Sequence, residues 1–134
     1  EFGFFSIDNT THQMSDYKGR VVLLHFWASW CAPCIEEFPQ LVSLAKAQPK
    51  KLAILAISVD TTEAKIRKFI GKQALPKNLI IVHDKDKEIT YDRFQTMNYP
   101  ETILVGCDYK MRDKVIGMAT DWPATVAPLL AECR

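Results

Sequence analysis

Two of the four cysteines stand as Cys31-Ala32-Pro33-Cys34, and sulfurs separated by two residues suit disulfide exchange. One thiolate attacks a substrate disulfide, and a second thiol within reach resolves the mixed disulfide before the substrate is stranded. A helix starting at such a motif aims its unpaired N–H groups and positive dipole end at the first sulfur, lowering that thiol into the range of roughly 3.5 to 7.5. Cys31 is therefore read as the attacking thiol, and Cys34, inside the first turn, as the resolving one. Pro33 has no N–H and a fixed φ, so it stiffens the loop between the sulfurs. The competing chemistry of a CxxC is half of a zinc site. It needs a second ligand pair, yet Cys107 and Cys133 are 26 positions apart and His12, His25 and His83 form no pair. No His follows Cys34, which excludes covalent haem attachment, and Met14, Met97, Met111 and Met118 lack the clustering of a copper-binding box. Neither a metal nor another cofactor is implied.

The elements that must hold this pair are legible from periodicity. Val21 to Trp27 is apolar on both alternating faces and reads as a central strand covered on both sides. Ile35, Phe38, Leu41, Val42 and Ala45 recur at three and four residues, so the spacing predicts a helix from near Cys34 to about Ala47, kinked at Pro39. Leu52 to Val59 is a second doubly apolar strand. Asp60-Thr61-Thr62-Glu63 then has the shape of an acid-capped helix start before Ile66, Phe69 and Ile70. A strand over Leu79 to Val82, a short helix over Lys87 to Phe94, and a hairpin of Thr102 to Val105 with Lys114 to Met118 follow, and Asp121 and Pro123 open a terminal helix through Leu129 and Leu130. Upstream, Gly3 to Ile7 and His12 to Met14 form a hairpin about Asp8-Asn9-Thr10-Thr11. The order implies an α/β domain over residues 1–134, a mixed sheet with helices on both faces.

Composition narrows the class. The 134 residues are 48% hydrophobic and 25% charged, which excludes a collagen-like, low-complexity or wholly disordered chain. A formal charge of +1 supplies no field to gather nucleic acid or an anionic bilayer, so no nucleic-acid partner is expected. The longest apolar run, Val21 to Trp30, is interrupted by His25 and is about half the length of a membrane-spanning helix. The chain begins at Glu1 without a Met, and is read as a fragment or processed product whose signal or membrane anchor lay upstream.

Phe26-Trp27-Ala28-Ser29-Trp30-Cys31-Ala32-Pro33-Cys34, with Pro39 five positions on, resembles the thioredoxin superfamily, and within it the TlpA/ResA/DsbE-type thiol-disulfide oxidoreductases of bacterial envelopes. Glu37-Phe38-Pro39, Tyr99-Pro100-Glu101-Thr102 and the lead-in Lys18 to Leu24 extend the likeness over nearly the whole chain. The resemblance implies a thioredoxin fold with an N-terminal β-hairpin and a strand-helix insertion between Asp60 and Pro100. It implies a protein-disulfide reductase acting on protein thiol or disulfide substrates, in a periplasmic or other extracytoplasmic compartment. A membrane thiol transporter would be the electron donor and cytochrome c maturation one setting. The domain is expected to act as a monomer. Pro100 would be the cis-proline facing the cysteines, with the Tyr99 backbone offered to an extended substrate segment. Gln95 and Asn98 stand where relatives often hold Gly.

Two residues are candidates for moving the proton. His25 occupies the position, six before Cys31, where thioredoxin has a buried Asp; a neutral imidazole there either serves Cys34 or is a strand histidine satisfied by a backbone partner. Glu37 is three residues after Cys34 on the same helix face and matches a Glu of the subgroup; it is either a partly buried acid-base group or, as expected of Glu36, a solvated helix residue. Trp27 is expected in the core. Trp30 is expected at the sulfurs as an apolar contact for substrates. The lysines at 85, 87, 110 and 114 are read as solvated. A peroxidase on the same fold would carry Thr where this chain has Ala28, and a non-enzymatic metallochaperone or adaptor would usually space its cysteines by three residues. Cys107 begins the turn after one strand, and a short connection at Ala119-Thr120 forces the terminal helix to run back, bringing Cys133 toward it. The sequence leaves open whether they pair in a structural disulfide or stay two free thiols.

Overall fold

A computed structural model describes residues 2–133. The two doubly apolar runs form the centre of a five-stranded sheet: β3 (Val21–Trp27) and β4 (Leu52–Ser58), buried at every position. An N-terminal hairpin supplies β1 (Gly3–Phe5) and β2 (Thr11–Gln13). With β5 (Leu79–His83), β6 (Glu101–Val105) and β7 (Met111–Ile116), the sheet runs β5-β4-β3-β6-β7. The first three are parallel, and β6 and β7 are antiparallel additions. Trp27 and His83 both lie opposite Ser58, and Phe26 lies opposite Glu101. The ends of β3 and β4 and the start of β6 therefore meet at one edge, which gathers residues about 70 positions apart in sequence.

One face of the sheet is covered by α1 (Ala32–Ala47), α2 (Glu63–Ile70) and α3 (Trp122–Ala131), whose Phe38, Leu41, Ile66, Trp122 and Val126 join Leu23 and Trp27 in a core. The other carries Leu24, Phe26, Leu55 and Ile103 beneath Phe4 of the hairpin, Met14 and Tyr17 of a 3-10 helix (Met14–Tyr17), and Ile89 and Phe94 around a single π-helical turn (Glu88–Arg93). Helices do flank both faces, the short irregular ones on the second. This is the thioredoxin fold, elaborated by a hairpin in front and an inserted segment between β4 and β6.

Several boundaries and roles differ from the sequence reading. The helix expected near Cys34 begins at Ala32, because Cys31 keeps extended backbone and itself caps the first turn. It continues through Pro39, whose missing N–H leaves the Ile35 carbonyl without its helical donor. The returning strand ends at Gln13, where Met14 turns into the 3-10 helix. The last strand begins at Met111 rather than Lys114, since pairing with β6 continues to Val105 across a bulge. Asp60 does not cap α2: Thr62 precedes that helix without a side-chain cap bond, and the Asp60 carboxylate is used elsewhere. Lys114 is exposed, as the sequence reading has it, and its Nζ also lies 3.0 Å from Oε1 of the buried Glu101. Cys107 and Cys133 are joined in a disulfide with their Cα atoms 5.5 Å apart, at the sheet end remote from the Cys31–Cys34 motif.

Candidate active site

The chain leaves β3 at Trp27 and enters α1 at Ala32, and the four intervening residues carry Cys31 to the helix N-terminus. Cys31 and Cys34 form a disulfide across 5.2 Å between Cα atoms. Of the first helical positions, Pro33 has no N–H and the Cys34 N–H donates to Cys31 Sγ at 3.3 Å, so the first sulfur takes the place of a capping oxygen. In a dithiol form that contact and the dipole end favour negative charge on Cys31. Ala32 and Pro33 are exposed while both cysteines are buried, Cys34 completely. Cys31 is thus the less buried of the two.

Two loops from the same sheet edge fasten this segment. The buried Asp60 carboxylate, just beyond β4, accepts from the Ser29 N–H at 2.9 Å, the Ser29 hydroxyl at 2.6 Å and the Ser58 hydroxyl at 2.6 Å. A charged acceptor with three donors holds the approach to the cysteines at a fixed height. Before β6, the Tyr99-Pro100 peptide is cis, and the Tyr99 carbonyl oxygen lies 3.5 Å from Cys31 Sγ. Pro100 is buried. Trp30 stands largely in solvent, 64% exposed, with its ring edge-on to Tyr99 at 5.9 Å. Burial, and behind it the charges of Asp84 and Glu101, push the Tyr99 phenol up. An open cavity of about 510 Å³ runs from Tyr99 past Tyr91 and Met97 to Asp86 and Asp92. A cavity of about 600 Å³ between α1 and α3 is lined by Gln40, Leu44, Trp122 and Val126 and lies away from the sulfurs. Gln95 has φ of 51°, a left-handed conformation that favours glycine; Asn98 is not in that region.

His25 and Glu37, read as alternative proton carriers, are brought together. Both are fully buried, with His25 Nε2 3.7 Å from Glu37 Oε1. Glu37 is buried rather than solvated, and His25 Nδ1 pairs with the Thr102 hydroxyl at 2.8 Å rather than with backbone. Glu37 Oε2 accepts from the Ala119 N–H at 2.9 Å and the Trp122 indole at 3.0 Å, tying α1 to the start of α3. Burial pushes the Glu37 carboxyl up, partly offset by those two donors, and burial drives the His25 imidazole down to about 3. Trp27 is core, packed on Phe38 and Phe69 with centroids 5.3 Å away in each case.

Residues 1–114, the CxxC, the cis-proline loop and most of the sheet among them, match the model of the AhpC/TSA family. The chain belongs to the AhpC/TSA family. Among relatives of this AhpC/TSA chain, the thiol-disulfide oxidoreductase ResA of Oceanobacillus iheyensis is 34% identical over 115 residues, covering 85% of this chain and 58% of that protein. The thioredoxin-like protein YneN of Bacillus subtilis is 30% identical over 123 residues, covering 90% of this chain and 70% of that one. The chain thus spans between 58% and 70% of the length of these two relatives. The crystal structure of the exposed lipoprotein thioredoxin Etrx1 from Streptococcus pneumoniae superposes with a TM-score of 0.79 over 98% of both chains at 24% identity, a likeness of fold.

Sequence reasoning missed two members of the site in this AhpC/TSA chain. Asp60 was assigned to a helix start because Asp before Thr-Thr-Glu has that shape; the signal for its true role was its place at the end of a strand beside the one leading to Cys31. Thr102 carried no local signal, and only the register of β3 with β6 sets it opposite His25.

Proposed function

We propose that this chain is a thiol-disulfide oxidoreductase that acts on protein substrates, as a reductant in the bacterial envelope. The observation that carries the reading is the Cys31–Cys34 disulfide at the N-terminus of α1, with the Tyr99 carbonyl 3.5 Å from the first sulfur. In the dithiol form, the Cys31 thiolate bonds to one sulfur of a substrate disulfide and expels the other as a thiolate. Loss of the Cys34 proton to the buried Glu37–His25 pair lets Cys34 bond to Cys31 and expel the first substrate sulfur. Two electrons have then passed to the substrate, whose thiolates take up protons, and the Cys31–Cys34 disulfide remains. The raised Glu37 carboxyl stands closer to a thiol in proton affinity than an ordinary carboxylate does, which suits that transfer. An extended substrate segment lies along the Tyr99 backbone, between Trp30 and the cis-proline, while Pro33 keeps the loop stiff.

The envelope setting is the part of this reading that the resemblance to the TlpA/ResA/DsbE type implies. Among the described residues no helix is long and apolar enough to cross a membrane. A membrane thiol transporter re-reduces the pair in this reading, cytochrome apoproteins are among its substrates, and the domain works as a monomer. The test is twofold: turnover in a dithiol-coupled disulfide assay, and the potential of Cys31–Cys34 equilibrated against glutathione. Turnover with a potential far below the glutathione couple is expected. A potential well above that couple would make the protein an oxidant, and absence of turnover would remove the activity altogether.

A further inference from the structure

Three side chains without access to solvent form a row from the sheet into α1: Thr102 on β6, His25 on β3 and Glu37 on α1. Thr102 and His25 are register partners, with the hydroxyl 2.8 Å from Nδ1. At the other end, His25 Nε2 and Glu37 Oε1 face each other at 3.7 Å, and neither atom has a hydrogen-bond partner elsewhere. Glu37 Oε2 is already occupied by the Ala119 and Trp122 donors. Two buried polar atoms left to each other must be matched as donor and acceptor, because an unpaired buried group costs about 1–3 kcal/mol.

Only two arrangements of hydrogens fill the row. With Glu37 ionised, the Thr102 hydroxyl donates to Nδ1, and Nε2–H points at the carboxylate oxygen Oε1. With Glu37 protonated, its hydrogen must sit on Oε1, since Oε2 accepts two N–H bonds. Nε2 is then the acceptor, Nδ1 carries the imidazole hydrogen, and the Thr102 oxygen accepts it while its own hydrogen rotates away. The two states differ by one proton: the hydrogen of Nε2 is replaced by one on Nδ1, and one is added on Oε1. Both keep the imidazole neutral, in accord with a histidine that burial holds down to about 3.

We propose that Thr102, His25 and Glu37 form a single-proton unit in which the protonation of Glu37 and the tautomer of His25 switch together. Among the described residues, no other charged group perturbs either side chain. Ala56 of β4 and Thr102 of β6 flank His25 in the sheet, and Ala119 and Trp122 meet Glu37 from the α3 side. On α1 the neighbouring Cys34 is held in the disulfide, and Glu101, paired with Lys114, is adjacent to Thr102 in β6 and so points to the opposite sheet face. Under the exchange reading, on which this role rests, the proton gained by the unit is the one Cys34 gives up. Thr102 and His25 are then positioning residues, and Glu37 is the group that receives the proton.

The tautomer is read directly by long-range nitrogen-proton correlation spectra of the oxidised chain, with its histidines labelled, from roughly pH 4 to pH 9. His25 is identified by the signals lost in H25N. A change from the Nε2–H form in alkali to the Nδ1–H form in acid is expected, without imidazolium shifts and with the midpoint of the Glu37 carboxyl carbon. In E37Q the amide oxygen takes over the Ala119 and Trp122 bonds and the amide N–H faces Nε2, so the Nδ1–H form is expected at every pH. T102V should displace the midpoint by removing the donor to Nδ1. One unchanging tautomer in the native chain, an imidazolium in the neutral range, or a switch surviving in E37Q would overturn the proposal. Because the oxidised protein contains no Cys34 thiol, this result stands apart from turnover: an inactive chain can still switch, and an active one can fail to.

Discussion

Replacing both Cys107 and Cys133 with Ser removes a bridge that closes a loop with a sequence separation of 26. In the chain-entropy relation that separation corresponds to about 12 cal/mol/K, or about 3.5 kcal/mol at 25 °C. The native state should change little. Trp122 and Val126 keep α3 in the core, and Arg112 still reaches Glu132 at 3.3 Å, although half-exposed ion pairs of this kind contribute little. The loss therefore falls on the unfolded state, which gains freedom. For 134 residues the unfolding entropy is about 280 cal/mol/K near the midpoint, so Tm should fall by about 12 °C. The exchange chemistry should be untouched. Cys107 follows the end of β6 that pairs with Val22, whereas Cys31 lies beyond Trp27, so roughly 20 Å of strand separates them. Urea unfolding of C107S/C133S against the native protein, with the bridge verified by peptide mapping, gives the stability; the rate of substrate disulfide reduction gives the function. Variants are needed because a reductant would also open Cys31–Cys34. A loss below about 1 kcal/mol, or a reduction rate that falls with stability, would refute the reasoning.

Cys31→Ser should abolish exchange, whereas Cys34→Ser should accumulate mixed disulfides with partner proteins, because attack survives and resolution does not; faster alkylation of Cys34 than of Cys31 in the reduced protein would reverse the assignment. Asp60→Asn turns one acceptor oxygen into a donor facing Ser29 and Ser58, so denaturant unfolding should show a loss of about 2–3 kcal/mol, and an unchanged midpoint would mean the carboxylate charge is immaterial. The pH dependence of stability has opposed contributions. His25, lowered to about 3 from 6.5, favours unfolding as pH falls below 6.5, since the unfolded chain binds the proton first. Glu37, raised from 4.5, contributes stability that is present below 4.5 and lost as pH rises through its folded value. In E37Q only the histidine remains, so stability should drop by about 1.4 kcal/mol per pH unit on acidification below 6.5, more steeply than in the native chain. Parallel native and E37Q curves would sink that account.

Much of this protein is local in origin. The doubly apolar runs of β3 and β4, the three-and-four spacing of α1 and the CxxC at its start depend on neighbours in sequence, and periodicity reveals them. In the proposed exchange a helix following Cys31 determines which sulfur is activated, since dipole and unpaired donors are properties of the first turn. The topology of the C-terminal hairpin and helix was enough to place Cys107 near Cys133. What the sequence left open concerns polar side chains whose partners lie far along the chain. Asp60 reads locally as a helix start, and the parallel register of β3 and β4 sets it beside Ser29 instead, 31 positions away. Glu37 and Glu36 differ by one step around a helix, and the packing of α3 buries one and leaves the other in water. Lys114 stays at the surface, and strand pairing sets it beside Glu101 as its partner. His25 became half of a pair, with Thr102 behind it, only when sheet and helix came together. Burial then made the choice among uses consequential, because an unpaired polar atom is tolerable in water and costly in a core.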